Sequence, residues 1–581
     1  MYVMKKFNYL LTLTLVTGLF VFSSCEKEDA PEKEPKDPSQ MTIAEFALES
    51  EDFSILVDAL SKADLVNTLN GSGDFTVFAP DNDAFNDLFT ALGVSGIADI
   101  PADDLKPILL YHVLGEGKTA SMISSGYYSS LSPAQGRTVS MYIENDMGVS
   151  INGAANVTVA DIEVSNGVIH AIDAVIIPPT IVDIASKNEN FETLVSAVVG
   201  ANLAGTLSDA NGTFTVFAPT DDAFAALGGN VPADLTPILL YHVLGSPVFS
   251  DEISSSIIQS LNDADPEIVV EVSDMGVMLN GSANVIATDI VGTNGVIHVI
   301  DAVILPIDNG SILDAAMATA DFSSLTAALA KANLASTFMK DGDFTVFAPT
   351  NDAFAAFLST LGVAFEDLTA EALTPILKYH VVGAEAFSNS LSTGYISTIY
   401  EAIEGFPVSM YVEVDAGVTL NGSISVTTPD VDASNGVIHV IDAVLTPTSV
   451  VDIAINNSTF SKLVEAVVKA GLVETLNGDG PFTVFAPTDA AFDQLFTDLG
   501  VNGIEDIAAE TLVPILQYHV VSGNVRSSDL TNGIVATLNG DITIALNEPP
   551  TINGDAQIIA TDVQGTNGVV HVIDKVLLPS N

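Results

Sequence analysis

The stretch SNGVIHAIDAV (Ser165–Val175) decides the fold, because it recurs as TNGVIHVIDAV from Thr293, SNGVIHVIDAV from Ser434 and TNGVVHVIDKV from Thr566. Each copy sets a histidine three residues before an aspartate: His170 and Asp173, His298 and Asp301, His439 and Asp442, His571 and Asp574. The β-branched composition reads as a strand, and on a strand residues three apart point to opposite faces. The two side chains therefore do not form a dyad within their strand. Apolar neighbours on both faces mark a strand covered on both sides. A buried imidazole left unpaired costs about 1–3 kcal/mol. Each histidine is thus expected to be a structural, hydrogen-bonded core residue.

Three further markers recur in fixed order around this phrase. TIAEFA at Thr42 returns as TIVDIA at Thr180, SILDAA at Ser311 and SVVDIA at Ser449. FTVFAP begins at Phe75, Phe214, Phe344 and Phe482, so successive copies are 139, 130 and 138 residues apart. A Tyr-His pair follows at Tyr111-His112, Tyr241-His242, Tyr379-His380 and Tyr518-His519. That period is domain-sized, well beyond the length of solenoid repeats, so each unit is expected to bury its own core.

Within a unit the first marker opens with Ser or Thr and has Asp or Glu three places on, a capping-box pattern. Phe53, Leu56, Val57 and Leu60 then form one apolar helix face, repeated by Phe191, Leu194, Val195 and Val198 and by Phe460, Leu463, Val464 and Val467. FTVF reads as a strand, after which Asp81, Thr220, Thr350 or Thr488 caps another helix. LTPILLYH (Leu235 to His242) reads as a helix entered through proline. The second half of the unit carries two Asn-Gly pairs, Asn152-Gly153 and Asn166-Gly167 in the first copy, between alternating apolar residues. Both are expected at tight hairpin turns, whose central residues need positive φ. Helices early and strands late give an α+β class with a largely antiparallel sheet.

The whole chain has 581 residues, with 48% hydrophobic and 16% charged side chains, a globular composition. Its net charge of −57 repels phosphate backbones and anionic headgroups, which argues against nucleic acid as a partner. The single cysteine, Cys25, has no intramolecular partner. It follows Lys5 and Lys6, an apolar run from Leu10 to Phe22 and the small residues of FSSC. That order resembles a bacterial lipoprotein signal, which implies cleavage before Cys25 and lipidation of its sulfur and amine. Several acyl chains, each worth about 0.8 kcal/mol per buried methylene, would anchor the chain stably. EKEDAPEKEPKDPSQ after it reads as an extended tether. Its opening, Glu26-Lys27-Glu28-Asp29, resembles the signal that carries lipoproteins of one Gram-negative phylum to the outer face of the outer membrane.

All eight histidines fall at the two repeated positions, leaving none for a special site in one unit. HExxH, GxSxG, P-loop and EF-hand patterns do not occur, so the sequence implies no catalytic residue, cofactor or metal. The acid pairs at Asp81 and Asp263 read as a helix cap and a loop.

The set TVFAPTDDAF, LTPILLYHVL and NGVIHVIDAV, in this order and spacing, resembles the fasciclin domain in all four units, from about residue 41 to 579. The resemblance implies a small α+β domain, a wedge-like β-sandwich with packed helices. It also implies a secreted or surface-anchored protein acting in adhesion or matrix contacts. In animal matrix members the Tyr-His region and an Asp-Ile pair have been tied to integrin binding. By that resemblance the candidate adhesion residues are the four Tyr-His pairs with Asp161, Ile162, Asp289 and Ile290, while Asp430-Val431 and Asp562-Val563 depart conservatively. A bacterium has no integrin, so the ligand itself does not transfer. Ala490 stands where the other units have Asp83, Asp222 and Asp352, which weakens any shared role for that acid.

The expected organisation is a leader over 1–24, a tether over 25–40, and fasciclin-like domains over 41–178, 179–306, 307–447 and 448–581. The expected function is a non-enzymatic, outer-membrane lipid-anchored binding protein, facing a protein or glycan ligand and touching the membrane only through its N-terminal lipid. A structural envelope component partnering other outer-membrane proteins is the alternative. Short joints around Pro178, Leu305 and Thr446 are expected to limit rotation between units.

Overall fold

The computed structural model describes residues 36–228, 234–306, 310–340 and 342–579. The leader, Cys25 and the tether up to residue 35 lie outside the described residues. The four units fold alike, and the first serves as the reference. Its helical half is α1 (Ile43–Glu49), α2 (Ser54–Lys62), α3 (Val66–Leu69), α4 (Asn82–Leu92) and α5 (Ala102–Tyr111). Its strands are β1 (Phe75–Pro80), β2 (Val113–Leu114), β3 (Gly126–Ala134), β4 (Arg137–Glu144), β5 (Ser150–Ile151), β6 (Ala155–Val164) and β7 (Gly167–Ile172).

The capping signals act as expected, with one variation. The Thr42 N–H donates to Glu45 Oε2 at 3.0 Å and the Glu45 N–H to Thr42 Oγ1 at 3.3 Å. Thr180 with Asp183 and Ser449 with Asp452 do the same. In the third unit Ser311 caps the Asp314 N–H, but the Asp314 carboxylate takes the Gly310 N–H instead. Phe53, at the start of α2, and Leu56 and Leu60 on it are buried and Val57 is half-buried. Proline does open the helix Thr236–Tyr241, whereas Pro107, Pro375 and Pro514 lie inside their longer helices.

The sheet is antiparallel except at one pair of strands. There β1 and β7 run parallel, in register from Phe75 opposite Gly167 to Pro80 opposite Ile172. In the first unit a Leu114–Ser130 pairing between β2 and β3 closes the seven strands into a barrel. The other units keep seven-stranded sheets. β7 is the wall between two cores. Ile169 and Ala171 face the helices with Phe53, Leu56 and Phe85, and Ile172 faces the sandwich interior with Phe78, Tyr111 and Met141. The two-sided burial read from the apolar run follows from that position.

The second Asn-Gly differs from the expectation. Asn152-Gly153 has positive φ at both residues, 51° and 58°, as a tight turn requires. Asn166 does not. Val164 pairs with Gly167, so the turn is centred on Ser165-Asn166 and Gly167 already belongs to β7. Glycine is needed there for another reason: φ is +150°, and a Cβ would stand 2.0 Å from the Phe75 carbonyl oxygen. Only glycine lets β7 lie this close to β1.

Asn166 itself is a buried pin. Its Oδ1 accepts from the Ile43 N–H at 2.9 Å, an orphan donor of the first turn of α1. Its Nδ2 donates to the carbonyls of Leu69 and Gly71 at 2.8 and 3.0 Å. Asn294, Asn435 and Asn567 make the same three contacts in their units. Replacing Asn166 by Ala leaves these groups unpaired inside the protein, and the expected cost is about 2–4 kcal/mol to the first unit. Calorimetry of the full chain should show one unfolding transition moving down and the rest staying in place; no movement would refute the pin.

The units are also joined by packing. Tyr127 of the β3–β4 hairpin enters the helical core of the second unit. Ile257 and Val269 of the second unit enter that of the third, and Tyr395 of the third enters that of the fourth.

Candidate adhesion site

The Tyr-His pairs lie inside the units. Tyr111, His112, Tyr241, His242, Tyr379, His380, Tyr518 and His519 are all buried, none more than 3% exposed. Their chemistry is spent on joining the end of α5 to the sheet. Tyr111 Oη donates to the Ser140 carbonyl at 2.8 Å and accepts from Asn152 Nδ2 at 2.9 Å. Asn152, at the first Asn-Gly turn, completes the link by accepting the Tyr142 N–H. Tyr241 pairs with Asn280, Tyr379 with Asn421 and Tyr518 with Asn553 in the same way. Burial raises the Tyr111, Tyr241 and Tyr379 phenol pKa values, so these hydroxyls stay neutral donors.

His112 Nδ1 lies 2.8 Å from the Ile108 carbonyl, and its Nε2 accepts the Ile176 N–H at 3.0 Å. A carbonyl only accepts and an amide N–H only donates, so the ring is neutral with its proton on Nδ1. His242, His380 and His519 repeat both contacts.

The histidines of the NGV(I/V)H phrase carry the opposite tautomer. His170 Nδ1 accepts the Asp161 N–H at 3.2 Å, and its Nε2–H donates to the Lys118 carbonyl at 3.0 Å. His298, His439 and His571 do likewise with Asp289, Asp430 and Asp562. The ring stacks near Phe78, 5.6 Å between centroids. These imidazoles are wholly buried, and burial lowers the pKa of His170, His298 and His571.

The aspartate that meets each histidine is therefore the one in the Asp-Ile pair, across the hairpin, and not the one three residues on. Asp173 instead accepts the Asn156 N–H and amide at the end of the hairpin. The register of β6 against β7 shifts between Val159 and Ile162, and the extra residue forms a bulge. Asp161, Asp289, Asp430 and Asp562 all sit there with φ between 59° and 64°. The local pairing could have been counted from the sequence: three steps back on each side of the Val164–Gly167 pair place Asp161 opposite His170. The bulge itself has no such signal beyond the tolerance of Asp for left-handed φ.

Each of these carboxylates faces outward and clamps the loop after β2. Asp161 Oδ1 accepts the Ala120 N–H at 2.7 Å. Asp430 accepts the Ser388 N–H at 2.7 Å and its hydroxyl at 2.5 Å, and these bonds, the hydroxyl first, hold its carboxyl below the usual range. Asp289 with Ser250 and Asp562 with Ser527 match this pattern. Ile162 and Val431 are half-buried beside the bulge, and Ile290 and Val563 are buried. On the outer side the same strand exposes Val159, Ile286 and Ile559 by more than half. The bulged strand of three units thus exposes an apolar side chain two or three residues before its aspartate, whereas the Tyr-His pairs are buried.

The fasciclin domain model matches residues 51–178, 189–306, 320–447 and 458–579. The chain belongs to the fasciclin family. A relative matching over most of its length is the transforming growth factor-beta-induced protein ig-h3 of Sus scrofa, 29% identical over 88% of this chain and 74% of that protein. Periostin of Homo sapiens is 29% identical over 66% of this chain and 46% of its own. The cell surface glycolipoprotein MPB83 of Mycobacterium bovis is 37% identical over 22% of this chain and 58% of its own. The fasciclin units account for the repeated markers, and the seven-stranded units with packed helices agree with the α+β expectation.

The Tyr-His histidines also predict a pH dependence. Burial lowers the pKa of His112, His242, His380 and His519 to about 4 from an unfolded value of 6.5. The unfolded chain then binds protons more readily, so stability is full above about pH 6.5 and is lost as pH falls toward 4. The loss is on the order of 3 kcal/mol per domain. Thermal unfolding between pH 7 and 4 should show melting temperatures falling across that window; a flat profile would contradict the neutral tautomers.

Proposed function

We propose that this fasciclin chain is a surface-anchored, non-enzymatic adhesion protein. Lipid on Cys25 holds it to the outer membrane, and the four domains, over residues 41–178, 179–306, 307–447 and 448–581, stand beyond a short tether. Its ligand is a protein or glycan of a matrix or of another cell. The reading is supported by the family, by the names of relatives that include a cell surface glycolipoprotein, and by the signal-like sequence ending at Cys25.

The observation that carries it is an exposed apolar side chain on the bulged strand of three units, together with an interior whose histidines are already committed to structural bonds. All eight imidazoles are committed to two backbone hydrogen bonds each. Ligand contact falls to the bulged strand, where Val159 two residues before Asp161, and Ile286 and Ile559 three residues before Asp289 and Asp562, face solvent. Tyr-His braces the sandwich through Asn152, in the turn before that strand, and the Ile176 N–H after β7. Repeated weak sites gain affinity together, by about 10²–10⁴ when geometry lets them engage at once.

The full chain arrayed on vesicles, offered matrix proteins, glycans and surface proteins of neighbouring cells, is expected to retain at least one class. Val159→Lys, Ile286→Lys and Ile559→Lys combined should cut retention roughly tenfold or more with unfolding unchanged. Retention of nothing would reject adhesion in favour of an envelope role. Retention unaffected by the triple substitution would move the ligand to another face.

A further inference from the structure

The first and third joints use the same contacts, and one of them is reversed. Tyr127 and Tyr142 lie 5.0 Å apart at 53°, and Tyr395 and Tyr411 lie 5.0 Å apart at 51°. Asn188 Nδ2 of the second unit donates to Tyr127 Oη at 3.0 Å, and Asn457 Nδ2 of the fourth to Tyr395 Oη at 3.0 Å. Ser140 Oγ accepts the Val291 N–H at 2.9 Å, and Ser409 Oγ the Gln564 N–H at 3.0 Å. Both serines sit in the segment VSMY, which the second and fourth units lack.

Three residues before each serine stands Arg137 in the first unit and Phe406 in the third. Opposite them, directly before the serine or its equivalent that clamps the bulge, stand Phe249 in the second unit and Arg526 in the fourth. The Arg137 guanidinium lies 4.7 Å from the Phe249 ring centre and pairs with Asp251 at 2.5 Å. The Arg526 guanidinium lies 5.4 Å from the Phe406 ring centre and pairs with Asp562 at 3.2 Å. Both distances are within cation–π range. The same contact is thus made with its two partners exchanged.

We propose that this exchange is a matching code that fixes which domain docks on which. The tyrosine–asparagine and serine–amide contacts of the two joints are interchangeable, whereas the Arg137–Asp251 pair and the Gln135 Nε2 bond to the Thr293 carbonyl belong to the first joint. The hairpin of the first domain, set on the fourth, would find Asn457 and the Gln564 N–H where it now finds Asn188 and the Val291 N–H. It would also set Arg137 against Arg526. The hairpin of the third domain, set on the second, would put Phe406 on Phe249 and leave Asp251 without its arginine. Like-charge opposition and lost pairing are how an interface rejects a near-identical rival. On the surface-anchored reading proposed above, the rival is a second copy of this chain alongside, which offers the wrong domain at high local concentration, the condition for domain swapping. The second joint needs no such code, since Ile257 and Val269 dock on a different surface, beside Asn333 and Ser336 of the third domain.

Hydrogen exchange in the full chain reads each joint through one amide, Gln564 for the third and Val291 for the first. Phe406→Arg should raise exchange at Gln564 by about three- to tenfold, the scale of a lost cation–π contact plus repulsion. Val291 should be unchanged, and protected Val570 in the core of the fourth domain reports that folding is intact. Phe406→Arg with Arg526→Phe restores the contact in the opposite sense and should return Gln564 to the native rate. An unchanged single variant, or a double variant no better than the single, overturns the proposal. Arg137→Phe with Phe249→Arg gives both joints one polarity. Chains so changed should keep Val291 protected but refold into linked oligomers several-fold more than native chains; an equal oligomer fraction also overturns it.

Discussion

The packed helices and the sheet of each domain meet through one side-chain amide, that of Asn166 and its three counterparts. A parallel pair, β1 with β7, sets β7 between two apolar layers, and the turn that feeds it carries a buried asparagine. Buried backbone groups need partners, and a helix start and a loop end arrive there with none of their own. One amide has the donors and the acceptor to satisfy the Ile43 N–H and the Leu69 and Gly71 carbonyls together. With it in place, Gly167 can lie against the Phe75 carbonyl and the strand carries its histidine into the core.

The eight histidines extend that logic. Four hold the proton on Nδ1 and four on Nε2, in each case because the facing backbone groups permit only that state. The arrangement ties helix α5, the loop after β2, the bulge in β6 and the segment after β7 into one frame. It also shows why a histidine near an aspartate is weak ground for reading an active site. The Asp161 carboxylate comes within 3.9 Å of His170 Nδ1, yet the ring bonds to the Asp161 backbone N–H and the carboxylate to Ala120. What reaches the surface is the outer side of the bulge. Its aspartate recurs in all four fasciclin domains, and an exposed apolar side chain accompanies it in three.

Chain repetition adds a second level of organisation. The domains alternate between two kinds of hairpin, one with VSMY and a tyrosine pair, one without. Joints one and three therefore share a geometry that joint two does not, and the chain reads as two pairs connected by a different contact. Reversing Arg and Phe between the pairs keeps the attraction and changes the identity of the fitting partner.

By itself the sequence determined the fourfold domain plan, the α+β class, the caps, the apolar faces and the structural nature of the histidines. Those features follow from local periodicity, capping chemistry and repetition, which one chain displays without reference to distant neighbours. Only the tertiary structure decided that β1 and β7 run parallel, that Gly167 opens a strand where a turn centre was expected, and that Asp161 in place of Asp173 faces His170. It also decided that the Tyr-His pairs lie buried, and that Arg137 and Arg526 make one contact from opposite sides. Each of these depends on which segments, far apart along the chain, come into register, and a one-residue bulge or a reversed partner leaves no periodic trace in the letters.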